Sequence, residues 1–369
     1  MRDVVLVTAD SVRYDFLDAM EYVSGFERHR GITAGHYTRP SLAGLLTASY
    51  RGAIESRAVA PTVASAFGEA GYTTIGLSAS PHTDPRFGFD AGFDVYENYG
   101  EAGNRGNPIR QFASRFDLVR KAYHRVRPPH AKLSNRLPDD ELIDNAIAAF
   151  DDADGPRFMW LHLMGTHRPY GLGEDAVPKD IDRKALFSPS SLTDAEREAI
   201  KETYRNTLAR ADREIRRLVE SIDAADPLVA FTSDHGDEFG EEGYYFHQPQ
   251  RRRVADALTT VPVATNDLSM REPLSLLDVG PTLLSAVGAE AAVPDEWHGT
   301  DVRHKARDHA LTIAPWHGTA TVAWQDFETK IVSRDADVRF ERGGESVDLE
   351  RADVDEDLKR QLRDLGYAE

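Results

Sequence analysis

The sequence contains no cysteine. That absence excludes disulfides, thiolate metal ligands, a cysteine nucleophile and any side chain made by modifying a cysteine. Lysine is scarce: most of the 44 basic residues are arginine, set against 62 acidic ones. The net charge of −18 argues against nucleic acid or an anionic membrane as the main partner. An acidic, lysine-poor surface suits a protein that stays hydrated in high salt, so a halophilic source is expected. No run approaches the about 18 apolar residues of a membrane span. Met1 leads directly into a strand-like stretch with no basic leader, and a cytoplasmic protein is the expectation.

What is present is a globular composition. The 369 residues are 41% hydrophobic, enough to bury a sizeable core in one large α/β domain with an appendage. VVLVT at 4–8, TTIGLS at 73–78, RFMWLHL at 157–163 and LVAFT at 228–232 read as strands buried on both faces of a parallel sheet. Helical spacing over 62–70, 139–151 and 193–224 alternates with them, the signature of an α/β fold. A late strand is expected at 261–264 and a kinked helix or helix pair over 274–287. Past Trp297 the runs TATVAW, TKIVS and DVRFE predict a small antiparallel sheet, followed by an amphipathic helix over 358–365. Residues 81–100 read as an ordered surface loop, and 103–138 as a lid or insertion. The expected division is a catalytic domain at 1–296 and a C-terminal α+β subdomain at 297–369.

Polar residues recur where the strands end, and open α/β sheets bind ligands at the carboxyl ends of their strands. Asp10 closes the first run, His167 follows the third, and Asp234 and His235 follow the fourth. His247 lies in the aromatic, charged loop beyond them. A further stretch, HYTRPSLAGLLTASY at 36–50, opens a helix with Pro40 in its first turn, where a missing N–H costs nothing. Thr38 and Ser41 there either cap the helix or offer a hydroxyl nucleophile beside an anion site. Asp10, Thr38, Asp234 and His235 together make an oxygen-rich site for a divalent cation, which would lower the pKa of the Thr38 hydroxyl. Arg39, His167 and His247 remain to bind the oxygens of a transferring phosphoryl or sulfuryl group. An imidazole, His167 or His247, is suited to protonate the leaving oxygen.

The ordered set VTADSVR, TRPSLAGLLT, HLMGTHRPY and FTSDHGDEFGEEG resembles the sulfatase family of the alkaline phosphatase superfamily. The likeness continues through APTVASAFGEAGYTTIGLSASP, FGFDAGFDVYENY and LSLLDVGPTLLSAVG, so it spans nearly the whole chain. It implies an alkaline-phosphatase-like three-layer sandwich with a mostly parallel central sheet and a small C-terminal antiparallel subdomain. It also implies Asp10, Asp234 and His235 as metal ligands, Thr38 as nucleophile, and His167 and His247 as substrate contacts. His247 stands in for the basic residue usual after the Asp-His-Gly motif.

The sequence also departs from the family. Sulfatases carry Cys or Ser in a Cys/Ser-x-Pro-Ser-Arg context and convert it to formylglycine. Thr38 cannot yield that aldehyde, Leu42 replaces the motif's Arg, and Ala9, Ser11 and Gly165 stand where relatives carry further carboxylates. The aldehyde-hydrate mechanism is therefore excluded, and one ion is expected rather than two. Calcium is favoured, with magnesium, manganese and zinc as alternatives. The expected function is a metal-dependent hydrolase of sulfate or phosphate esters, acting on a small-molecule or glycan ester. A phospho-group transferase is one alternative. Another is a degenerate sulfatase-like protein that binds a sulfated or phosphorylated glycan without turning it over.

Overall fold

The four apolar runs become neighbours in one sheet. The computed structural model describes residues 1–100, 137–171, 173–335, 337–343 and 345–347. The expected helix over 358–365, and all but the last two residues of the expected lid, lie outside the described residues. Eight strands, β1 (Val4–Ala9), β2 (Glu27–Ile32), β3 (Thr73–Ser78), β4 (Val95–Asn98), β5 (Arg157–Leu163), β6 (Leu228–Ser233), β7 (Thr260–Thr265) and β8 (Leu274–Ser275), form the central sheet. Their order is β4-β3-β5-β1-β6-β7-β2-β8, and only the pairings of β7 are antiparallel.

The register fixes where the site is built. Ala9 of β1 pairs with Leu163 of β5 on one side and Ser233 of β6 on the other. Three carboxyl ends are thus level, and Asp10, Met164 and Asp234 emerge side by side. Backbone bonds carry the alignment one residue past the strands: the Asp10 amide donates to the Leu163 carbonyl at 3.0 Å, and the Asp234 amide to Ala9 at 3.4 Å.

Alternation along these strands divides the core into two layers. Val5, Val7, Met159, Leu161 and Phe231 pack on one face against α3 (Asp139–Asp151) and α5 (Asp194–Ser221). Val4, Leu6, Phe158, Trp160 and Ala230 pack on the other against α1 (Thr38–Thr47), α2 (Val63–Glu69) and α6 (Val279–Ala286). A further helix, α4 (Lys179–Phe187), precedes α5. Capping boxes at Thr62 and Thr193 start α2 and α5, each hydroxyl accepting from the third helical amide.

A second sheet comprises β9 (Ala310–Trp316), β10 (Thr319–Gln325), β11 (Thr329–Arg334), β12 (Asp337–Arg342) and β13 (Glu345–Val347), antiparallel throughout. It grips the segment leading into α1: the Ile313 amide donates to Ala34 at 2.9 Å and Thr312 Oγ1 to the Thr33 carbonyl at 2.6 Å.

Two expectations change in detail, and one strand goes unannounced. Residues 81–100 contain β4, which pairs in parallel with β3 and is too short to announce itself. The stretch 274–287 divides into β8, one 3-10 turn and α6, because the Ser275 side chain caps Leu277 and turns the chain. The charged run ERHRGI forms β2, which no apolar pattern signals because it lies beside the short edge strand β8.

Candidate active site and metal centre

Thr38 is the first residue of α1, and the capping position belongs to Tyr37, whose side chain makes no capping bond. The cap reading of Thr38 therefore fails. Its buried hydroxyl instead donates to Asp10 Oδ2 at 3.1 Å and lies 3.4 Å from His235 Nε2. Ser41 points elsewhere, donating to the Asp234 carbonyl at 2.5 Å. Gly35 permits this entry into the helix: a Cβ there would sit 2.6 Å from the Ser41 amide nitrogen and 2.8 Å from the Pro40 Cβ.

Asp10 and Asp234 are both fully buried, and the loop between β1 and the first 3-10 turn holds them in place. Ser11 adopts φ 61°, an uncommon left-handed conformation for a residue with a side chain. From it, the Ser11 amide donates to Asp234 Oδ1 at 3.0 Å and its hydroxyl to Asp10 Oδ1 at 2.6 Å. Tyr204 of α5 anchors this turn by donating to the Ser11 carbonyl at 2.8 Å and accepting from the Arg13 amide at 2.9 Å.

Two buried carboxylates this close do not ionise alike. Burial and the neighbouring Asp10 charge hold Asp234 well above the usual carboxylate range. Burial also opposes the ionisation of Asp10, but the imidazoles of His167, His235, His247 and His162 outweigh it and keep Asp10 below that range. His235 is pushed down to about 4, by burial first and the His247 charge second, so it is a neutral imidazole near pH 7.

A divalent cation fits this arrangement. Asp10, Asp234 and His235 each offer one ligand atom, all within 4.8 Å of one another. Asp234 Oδ2 is buried without a hydrogen-bond donor, an expensive omission that a cation would remove. The donor set of carboxylate, hydroxyl and imidazole oxygen and nitrogen atoms suits a hard or borderline ion.

His247 comes to the same place through a hairpin. Phe239 bridges Tyr245, Gly240 at φ 114° makes the turn, and the Phe246 amide donates to the Glu238 carbonyl at 2.7 Å. This folding brings His247 Nδ1 to 2.7 Å from Asp237 Oδ1. Burial opposes a charged His247, but the charges of Asp237 and Asp10 outweigh it and raise its pKa. The Tyr170 hydroxyl donates to the other Asp237 oxygen. His235, Asp237 and His247 also satisfy metal-ligand spacing. Asp237, however, already has hydrogen-bond partners on both oxygens, so this group is complete as an Asp-His pair. The His167 ring packs edge-on to that of His247 with centroids 5.2 Å apart, and its Nδ1 meets the Arg168 carbonyl.

The residues singled out from sequence therefore gather at this rim, with the Arg39 guanidinium resting on the Phe87 ring at 4.3 Å. Leu42, at the place of the motif's Arg, is buried in the apolar layer under α1. Gly165 leaves room for the Asp139 carboxylate, which accepts its amide at 3.0 Å. Sequence reasoning passed over Asp237, Ser11 and His162. Asp237 sits inside the quoted run SDHGDEFGEEG, but its role depends on a hairpin that no local pattern reveals. His162 lies in the middle of an apolar strand run. It is held by Thr8 Oγ1 at 2.9 Å, and its Nε2 stands 4.0 Å from Asp10 without a hydrogen bond.

The sulfatase family profile matches residues 2–289. The chain belongs to the sulfatase family. Among solved structures it is similar to the phosphonate monoester hydrolase of Agrobacterium radiobacter, with 17% identity, TM-score 0.67, and 99% of this chain and 95% of that one covered. It is also similar to the C-terminal periplasmic domain of EcEptC from Escherichia coli in complex with Zn, with 15% identity, TM-score 0.60, and 88% and 92% covered. At such identities the likeness is one of fold. Phosphoethanolamine transferase EptA of Helicobacter pylori is 23% identical over 171 residues, which are 44% of this chain and 30% of that protein. The match thus spans under a third of the relative's length. Among the described residues no helix is long and apolar enough to cross a membrane.

Proposed function

We propose that this sulfatase-family protein is a metal-dependent hydrolase of sulfate or phosphate esters with Thr38 as its nucleophile. One observation carries the reading: the Thr38 hydroxyl leaves the helix N-terminus uncapped and turns to Asp10 Oδ2 at 3.1 Å and His235 Nε2 at 3.4 Å. Asp10, Thr38, Asp234 and His235 would hold one divalent ion, with calcium the first choice. Such an ion would supply Lewis acidity, lowering the pKa of the Thr38 hydroxyl and offsetting the two carboxylates.

Thr38 Oγ1 then attacks phosphorus or sulfur as its alkoxide, having released its proton to solvent. A bond forms from Thr38 Oγ1 to that atom as its bond to the ester oxygen breaks. His247, whose charged form Asp237 favours, gives its proton to the departing oxygen. His167 bonds the remaining oxygens of the group in flight. Water then attacks the same phosphorus or sulfur atom, giving one proton to His247 as the bond to Thr38 Oγ1 breaks, and the Thr38 oxygen takes back its proton from solvent. The aldehyde chemistry of other family members is absent, since threonine has no route to formylglycine.

Transfer to an acceptor alcohol is the second reading, and the similarity to a phosphoethanolamine transferase favours it. The two readings share every residue and differ only in what attacks the threonine ester. Turnover of aryl sulfates, aryl phosphates and bis(aryl) phosphates with added divalent ions tests the shared reading. Thr38→Ala should abolish activity, and undiminished activity would sink the assignment. Product partitioning between water and an added amino alcohol then separates hydrolase from transferase.

A further inference from the structure

In this acidic chain, arginines drawn below the surface end on carboxylates. Arg13 reaches Glu241 at 2.6 Å, Arg157 Asp3 at 2.8 Å, Arg168 Asp182 at 2.6 Å, Arg253 Glu238 at 2.7 Å and Arg307 Asp278 at 2.5 Å. Arg39, next to the nucleophile, does not. Among the described residues its guanidinium makes no hydrogen bond, its Nε is buried without an acceptor, and its one close partner is the Phe87 ring at 4.3 Å. Arg39 is partly buried, and a guanidinium with one nitrogen shut off from water and unpaired gains from an anion that completes it.

Two further basic groups converge there. Arg86 covers the same Phe87 ring at 4.8 Å, with only a loose contact to Asp84 at 3.7 Å. His82 follows the carboxyl end of β3 on the same rim as Asp10 and Asp234. Its ring packs 6.1 Å from that of Tyr37, centroid to centroid. Arg39 is the charge that acts most strongly on His82, followed by Asp10, His247 and His235, and the pairing of Ser78 with His162 sets the end of β3 level with that rim. The His82 ring nitrogens bond to no described residue. An aromatic ring touched by both guanidiniums holds their planar forks in place, and such forks recognise oxyanions in a bidentate manner.

We propose that Arg39, Arg86 and His82 form an anion subsite beside Thr38 that receives a second oxyanion of the ester, a carboxylate, sulfate or phosphate borne on the leaving portion. The substrate class is thereby narrowed to esters with at least two negative groups. This deepens the reading of Thr38 as the reacting residue and rests on it for the position of the first group.

The test is binding rather than turnover, with phenylphosphonate and its three ring-carboxylated isomers as probes. Each is titrated calorimetrically into the full chain with divalent ion present. At least one carboxylated isomer should bind about 10-fold more tightly than phenylphosphonate, the return on a charge-assisted, bidentate contact. Arg39→Met and Arg86→Gln should each remove most of that preference. Arg86 is exposed, so its variant keeps the test valid even if Arg39→Met misfolds. Equal binding of all four compounds overturns the subsite alone, as does a preference that survives both substitutions. Failure of every compound to bind overturns the subsite together with the Thr38 reading.

Discussion

Asp234→Asn should make the metal-free protein more stable while destroying its response to metal. In the wild-type site Asp234 Oδ1 accepts the amides of Ser11 at 3.0 Å and His235 at 2.8 Å, whereas Oδ2 is buried with no donor. The Asn oxygen keeps both amide bonds. Its NH2 replaces the orphaned oxygen, 3.5 Å from a His235 Nε2 able to accept. Relieving one unsatisfied buried group next to a like charge is worth about 1–3 kcal/mol.

For 369 residues, with an unfolding entropy of about 2.1 cal/mol/K per residue, that gain raises Tm by about 1–4 °C. The pH dependence has a definite sign. Asp234 is raised above its unfolded value, so the folded state holds a proton that the unfolded state has lost. Stability therefore falls as pH rises from the ordinary carboxylate range toward the folded pKa. His36, His82, His162 and His235, pushed down to about 3 or 4, act in the opposite direction below their unfolded pKa. The difference between wild type and variant cancels that background. Calorimetric melts in chelator, from pH 5 to pH 8, should show the variant's advantage growing with pH. Added calcium or zinc should raise Tm for the wild type only. A variant less stable than wild type in chelator, or one that keeps the metal-induced rise, would refute the reasoning.

Further outcomes follow from the same geometry. Thr38→Ser should retain measurable turnover where Thr38→Ala loses at least about 1000-fold, because only the hydroxyl is required to form the ester. Asp237→Asn should lower the alkaline limb of the kcat/KM profile by about 1–2 pH units, the equivalent of one charge-assisted hydrogen bond. The sign follows from His247, whose raised folded pKa stabilises its charged form below the unfolded value and loses that contribution as pH rises through the folded one. An unmoved limb would remove His247 as the acid. Away from the site, Arg307→Ala should cost about 3–5 kcal/mol in denaturant melts, since it strands the fully buried Asp278.

Much of the sheet was legible because its central strands are buried on both faces. VVLVT, TTIGLS, RFMWLHL and LVAFT declare themselves by continuous apolar character, and β3 and β5 run over the expected residues. ERHRGI hides β2 because only its end is fully buried. The group Asp10, Thr38, Asp234 and His235 was legible because each residue falls at a strand or helix end, where chain order and spatial order agree. Asp237 was not, since its meaning comes from a hairpin that folds His247 back onto it. Nor was the setting of Arg39: its neighbours Phe87, Arg86 and His82 are brought to it by the turn after β3, over forty residues later in the chain.

The central claim is that Thr38 carries the group it removes. Acid-quenching the metal-loaded protein during turnover of an aryl phosphate or aryl sulfate, followed by peptide mass spectrometry of residues 31–51, tests that claim directly. One phosphoryl or sulfuryl group is expected on Thr38, and none in Thr38→Ala. Turnover with the label on Ser41 or another residue would contradict it.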